Sequence, residues 1–277
     1  MKAREKAFAF GLILCALLLA YSYAYLDAIL AVLSETVLGA VGVSASYLEA
    51  NSNLGYTCSA AILSLFYFWL WKRIKRGYPE KNATLAFRPF GGAFRMLLIG
   101  LGAGGVSLLW LNFAEAIQNS IPALQSSYDT FNSEMGAFEQ GDYIWMLLTV
   151  SVIGPLVEEL LFRGLVFHLF ERSFKSEHAA IILSALLFGI WHEIFVQSVY
   201  TFMIGLILGY LYAKTRKIIW PFLVHLVNNF SGTLPPGFDG EFANLLVNLA
   251  SLICIPVLFI LLWRMEKNTK QIEKTLP

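Results

Sequence analysis

Six ionisable or amide side chains lie inside otherwise apolar stretches, and their spacing defines the chemistry within reach. Three of them fall in Glu158-Glu159-Leu-Leu-Phe-Arg163, just after Gly154-Pro155. On a helix Glu159 and Arg163 are four residues apart and share a face, so they can pair. Glu158 points about 100° away and is left without that partner. A plain buried ion pair at a helix end is the competing reading of this segment. Two adjacent glutamates with one arginine leave a surplus carboxylate, however, and a carboxylate in low dielectric suits a general base.

The next is His192, in Phe188-Gly-Ile-Trp-His192-Glu193. A lone histidine on a helix is more often a satisfied core residue than a catalyst. The fourth residue after it is Val196, so the HExxH zinc motif is absent, and Glu193 reads as a marker of the water interface. The last pair lies in His225-Leu-Val-Asn228-Asn229, after Pro221. His225 and Asn229 are four apart, stacked about 6 Å along one helix face. Two neighbouring donors aimed into a cavity are what an oxyanion needs. Interhelical hydrogen bonding is the alternative, and it fits Asn228 better than the His225–Asn229 pair. His168 and His178 read as interfacial, and Gly205 with Gly209 as a close-packing GxxxG.

These groups need walls to hold them. Apolar runs long enough to cross about 30 Å of hydrocarbon recur along the chain. They lie near 7–26, 55–72, 93–113, 143–170, 178–196, 198–213, 218–233 and 244–263. The expected fold is therefore all-α, a polytopic membrane helix bundle of about eight transmembrane helices. Residues 28–47 are also apolar, but Glu35 and several small residues make an interfacial or re-entrant helix the alternative there. The first span resembles a signal peptide, with Lys2, Arg4 and Lys6 ahead of it; among so many further spans it reads as an uncleaved helix. At 1.5 Å per residue, Glu158 and Glu159 sit about two or three turns from the inner surface and His225 about two, with His192 nearer the outer side. The three groups meet only if the fifth span is tilted or starts later than 178.

Composition agrees with a lipid solvent. The chain is 57% hydrophobic and 14% charged, with a mean hydropathy of +0.63, against roughly 25% charged in a soluble domain. A net charge of +1 speaks against a nucleic-acid partner. Cys15, Cys58 and Cys254 lie far apart in apolar runs and read as small core hydrophobes, not as a disulfide frame or zinc finger. Apart from Arg163, the cations cluster in the N-terminal tail, in Lys72-Arg73-Ile-Lys75-Arg76 with Lys81, Arg88 and Arg95, around Arg172–Lys175, at 214–217 and after Trp263. The intervening segments near 27–54, 114–142 and 234–243 carry Asp and Glu but no Lys or Arg. Both termini are then cytoplasmic by the positive-inside rule. The segment 114–142 is the longest external one and has room for a surface helix. Residues 1–277 read as a single integral membrane domain, with its chemistry in a core of about 143–233.

Taken in order, EExxxR, FxxxH and HxxxN on successive spans resemble the CAAX-protease and bacteriocin-processing (CPBP/Abi) family, glutamate intramembrane proteases related to the Rce1-type prenyl-protein endopeptidase. The resemblance covers roughly residues 145–232, and every motif position is filled. It implies that Glu158 with His192 activates a water for attack on a peptide carbonyl. It also implies that His225 and Asn229 hold the oxyanion, and that Glu159 and Arg163 support them or orient the substrate. No cofactor is expected, although two histidines with two glutamates leave zinc as a minor alternative. The implied partners are the lipid bilayer and a membrane-anchored protein or peptide, such as a prenylated CAAX tail, a leader or a sorting tail. Compact loops and short tails fit a prokaryotic plasma membrane, with the active site toward the cytoplasmic side. The alternatives are a non-proteolytic bacteriocin-immunity or scaffold protein of the same fold, or a proton-coupled transporter, which the lack of inverted repeats disfavours.

Overall fold

Inside hydrocarbon every backbone N–H and C=O must find its partner within the segment, so bilayer-length apolar runs fold as helices. The computed structural model describes residues 3–77 and 82–275, and it follows that rule. Its helices are α1 (Ala3–Ala40), α2 (Ala45–Ala50), α3 (Ser52–Gly77), α4 (Pro89–Ile117), α5 (Pro122–Phe138), α6 (Tyr143–Phe174), α7 (Glu177–Trp191), α8 (Phe195–Thr215), α9 (Ile219–Ser231) and α10 (Glu241–Thr275). Among the described residues there is no strand, and the fold is all-α. Lys2 and Lys81 of the charge pattern lie outside the described residues.

Six helices, α1, α3, α4, α6, α8 and α10, are long and apolar enough to cross a bilayer. The chain is a polytopic integral membrane protein. The expected spans 178–196 and 218–233 correspond to α7 and α9, with 15 and 13 residues. At about 1.5 Å per residue these are roughly 20–22 Å long, short of a full crossing. The expected span 178–196 in fact contains a turn. Glu193 adopts a left-handed φ of 60°, and Ile194 N–H bonds back to the His192 carbonyl at 2.6 Å. The chain reverses there, and α8 packs back along α7.

The first apolar region also differs from expectation. Residues 28–40 do not form a separate interfacial helix but continue α1, which runs 38 residues before Gly42 turns the chain at φ 103°. Glu35, the residue that hinted at a break, packs against a neighbouring helix instead. Asp27 faces a cavity, and the Glu35 carboxyl lies against Gly55 of α3, where a Cβ would come within 2.6 Å of it. The 114–142 segment does hold a helix, α5.

Hydrogen bonds define the two ends of the bundle. At one, Arg216 pairs with Glu171 and Glu177, Thr84 and Leu85 bond to the Lys214 carbonyl, and Ser173 bonds to the Ala9 carbonyl. At the other, Asn53 reaches the Phe138 carbonyl, Asn51 accepts from the Asp142 N–H, and Tyr143 reaches the Thr233 carbonyl. The first end gathers cation-bearing segments and the second the cation-free ones. Successive helices therefore alternate as the charge pattern requires.

Helix α6 runs through the centre. Val157, Leu161, Phe162, Leu165, Val166 and Phe167 are fully buried, as expected of a helix that is apolar on every side. They pack on Ala16 and Ala20 of α1, Leu63 and Tyr67 of α3, Phe188 of α7 and Tyr212 of α8. The α7–α8 hairpin is close because its glycines permit it: a Cβ on Gly205 would meet Ala185 at 3.0 Å, and one on Gly209 would meet Ile181 at 3.4 Å. The GxxxG thus serves packing, as its spacing indicated. His168 is buried on α6 rather than interfacial. Of the free cysteines Cys254 is buried, whereas Cys15 is exposed.

Candidate active site

Helix α6 is not a uniform α-helix. Two π-helical stretches, Leu147–Ile153 and Leu160–Val166, flank a short α-helical segment, Gly154–Glu159. Pro155 lacks an N–H and cannot join a regular ladder, and its ring crowds the preceding turn. The turn widens accordingly, and Gly154 N–H bonds to the Thr149 carbonyl five residues back. A Cβ on Gly154 would collide with that carbonyl. Widened turns of this kind gather at functional sites, and here they bracket Glu158 and Glu159.

Glu159 and Arg163 pair as their spacing predicts, with Oε1 and Nη1 3.0 Å apart and both side chains fully buried. Arg163 also donates to the Gly205 carbonyl at 3.3 Å and lies over the Phe188 ring, 4.7 Å from its centroid. The same Glu159 oxygen meets His225 Nδ1 at 3.0 Å. Glu158 turns away from the ion pair and lines a cavity, with Oε2 3.7 Å from His225 Nε2. That distance exceeds a hydrogen bond, so the Glu158 carboxylate is not consumed by the imidazole. His225 thus faces one carboxylate with each ring nitrogen.

His192 occupies the C-cap of α7, and its Nδ1 lies 2.8 Å from the Phe188 carbonyl. A carbonyl only accepts, so Nδ1 carries the proton and Nε2 of the neutral ring is left as an acceptor. Phe188 holds the two imidazoles, its ring 4.7 Å from that of His192 and 5.8 Å from that of His225, both edge-on. Asn229 donates to the Val150 carbonyl at 2.8 Å and accepts from Asn228. One of its two amide protons remains for another acceptor.

The groups meet because the hairpins bring them level. Glu158 lies sixteen residues before the end of α6 at Phe174, and His192 fifteen after the start of α7 at Glu177. Both are therefore roughly 22–24 Å from the turn that joins the two helices. α7 starts where expected; the common depth comes from its ending at Trp191. At the entry to α9, Ile218 packs against Gly164 of α6, 3.4 Å from where a Cβ would lie. Six residues along α6 from that contact is Glu158, and seven along the entry to α9 is His225.

Glu158, His192, His225 and Asn229 all line one cavity of about 1070 Å³. Its other walls come from the halves of α3, α4, α8 and α10 nearest the cation-free end, through Tyr56, Ser107, Tyr200 and Asn248 among others. It is rimmed there by Glu134, Glu139 and Asp239. The cavity therefore runs from mid-bundle to the cation-free end, whereas the sequence reading put the active site toward the cytoplasmic, cationic side. The helices that converge on Glu158 enclose more open space above it than below, where the buried residues of α6 fill the bundle.

Sequence reasoning missed Asp27 and Tyr23 of α1, which also line the cavity. The signal was present, since Asp27 is a carboxylate in an apolar run. Dividing the region at residues 26 and 28 left it in a loop. Among the described residues no three His, Cys, Asp or Glu side chains are grouped to hold a metal ion.

Transmembrane helices around a carboxylate–imidazole cavity define a helical integral membrane protein with acid–base groups at mid-depth. Residues 140–231, about a third of the chain, match the Rce1-like family model, described as type II CAAX prenyl endopeptidase Rce1-like. That segment contains all three motifs, and it bears out the resemblance read from them. A putative membrane peptidase, YdiL of Bacillus subtilis (strain 168), is 32% identical over 85 residues, covering 30% of this chain and 34% of that protein. The membrane-embedded CAAX protease MroQ of Staphylococcus aureus (strain USA300) is 31% identical over 85 residues, covering 29% and 34%. The matched region thus spans about a third of the length of these relatives. No solved structure matches the chain.

Proposed function

We propose that this protein is an intramembrane endopeptidase of the glutamate type, with its working core in residues 143–233. The observation that carries the reading is the division of labour between adjacent glutamates. Glu159 is tied to Arg163 and His225, while Glu158 lines the cavity beside His225 without a hydrogen bond to it. A carboxylate kept free in a low-dielectric cavity is suited to take a proton from water. His192, with Nε2 available, assists at the same water. His225 gives its Nδ1–H to Glu159 and so donates through Nε2 only as the imidazolium; in that form it and Asn229 donate to the tetrahedral oxyanion. The water oxygen bonds to the peptide carbonyl carbon, the C–N bond breaks, and the proton held by Glu158 passes to the leaving amine.

The substrate class is a membrane-anchored protein or peptide, of which a prenylated CAAX tail, a leader and a sorting tail are instances. Under the positive-inside assignment the cavity opens on the non-cytoplasmic face. The test is cleavage of anchored peptides by the purified protein, run beside Glu158→Gln. Loss of cleavage in a folded variant supports the mechanism. An unchanged rate sinks it, and a cellular phenotype that survives Glu158→Gln favours a binding protein of the same fold.

A further inference from the structure

We infer that Tyr200 of α8 is a third donor to the tetrahedral oxyanion, acting through its phenol O–H beside His225 and Asn229. The role rests on the peptidase reading above. One face of α8 lines the cavity, through Gln197, Tyr200, Thr201 and Ile204. Their spacing of three and four residues is that of a single helix face. Thr201 turns its hydroxyl back to the Gln197 and Ser198 carbonyls, at 2.8 and 3.2 Å. The phenol and the Gln197 amide are therefore the polar groups this face offers a ligand. The Tyr200 ring is half-buried and meets Phe131 of α5 edge-on, with the centroids 6.2 Å apart. Packing of that kind is served equally by phenylalanine, whereas a hydroxyl calls for a partner.

The depth of Tyr200 matches that of the reacting groups. Arg163 of α6 donates to the Gly205 carbonyl of α8 at 3.3 Å, which sets those two positions at a similar height. Both helices start at the cation-free end and run in parallel. Five residues back from Arg163 is Glu158, and five back from Gly205 is Tyr200, roughly 7 Å in each case. The phenol accordingly lies within electrostatic reach of the Glu158 carboxylate. The donor set has a place for it. His225 donates only in its charged form, and Asn229 has one amide proton to give. A phenol donates while neutral. Gln197 stands next to the hydroxyl, and an amide N–H given to the phenol oxygen leaves the O–H proton for a ligand. The O–H bond stays intact throughout; its hydrogen bond strengthens as the carbonyl oxygen takes up negative charge.

The test compares wild-type and Tyr200→Phe full-length protein in nanodiscs, on peptides with an apolar anchor of about 20 residues. Tyr200→Phe is expected to lower kcat about 10²- to 10³-fold and to leave KM near wild type, as loss of a donor used only in the transition state does. Binding is read in the Glu158→Gln background, where the peptide is not consumed, beside the same peptide carrying a phosphonamidate at the cleaved bond. Adding Tyr200→Phe should weaken the tetrahedral phosphonamidate about 10²-fold and leave the planar peptide nearly unchanged. Both affinities come from one preparation, so damage to the fold weakens the two alike and does not alter their ratio. An unchanged kcat, a loss confined to KM, or equal weakening of the two ligands overturns the role and leaves the peptidase in place. Failure of wild type to cleave any anchored peptide overturns the peptidase reading, and the role of Tyr200 with it.

Discussion

Glu159 Oε1 lies 3.0 Å from Nδ1 of His225, a residue 66 positions further along the chain. The same oxygen lies 3.0 Å from Arg163. One buried carboxylate therefore fixes both the local ion pair and the imidazole of another helix, and its neighbour Glu158 is spared for the cavity.

Removing Glu159 should unfold more than it inactivates. Glu159→Ala leaves the Arg163 guanidinium charged and unpaired in the core, at a cost of about 3–5 kcal/mol. Thermal unfolding in detergent is expected to fall steeply for Glu159→Ala and to stay near wild type for Glu158→Gln. Equal melting curves for the two would contradict the division of labour.

Glu158→Gln and His192→Ala should each lower the cleavage rate about 10²- to 10⁴-fold, the usual contribution of a positioned base. Circular dichroism and melting temperature should remain close to wild type. Single-turnover assays on an anchored peptide check this.

Asn229→Ala should lower kcat by about 10²- to 10³-fold with a smaller change in KM, because an oxyanion donor acts only once the tetrahedral species forms. The variant also gives up the bond to the Val150 carbonyl, worth about 1 kcal/mol. A change confined to KM would assign Asn229 to substrate binding.

The α7–α8 hairpin sets the depth of His192, and Gly189 sets the hairpin. A Cβ on Gly189 would lie 2.7 Å from the Ser198 carbonyl, which is backbone and cannot swing aside. Gly189→Ala is expected to cost about 1–3 kcal/mol. Gly11→Ala, with nothing within 4 Å, should instead stabilise α1 by about 0.5–1 kcal/mol. Urea or thermal melts of the two variants should move in opposite directions.

Cleavage should persist in excess chelator. Arrest by chelation, with recovery on adding zinc, would assign the chemistry to a metal ion held by the His and Glu side chains.

Much of this was legible from the chain alone, because bilayer physics is written in composition. Apolar runs located most of the helices, though not their lengths or breaks, and the confinement of cations to alternate segments indicated their alternation. The four-residue spacing of Glu159 and Arg163 was enough to pair them and to single out Glu158, since a helix face is a local property. The GxxxG of α8 was equally local.

What no local rule supplied is which helix meets which, and at what height. The bond from Glu159 to His225, the level meeting of Glu158 with His192, and the cavity opening at the cation-free end arise from hairpin lengths. They depend on where α7 stops and on glycines that let α8 approach. Asp27 joined the site only because α1 runs unbroken through a residue that a hydropathy reading takes as a boundary. Spacing along a helix is encoded within a turn or two, whereas depth and partnership are set by packing across the whole bundle, and those the tertiary structure alone decided.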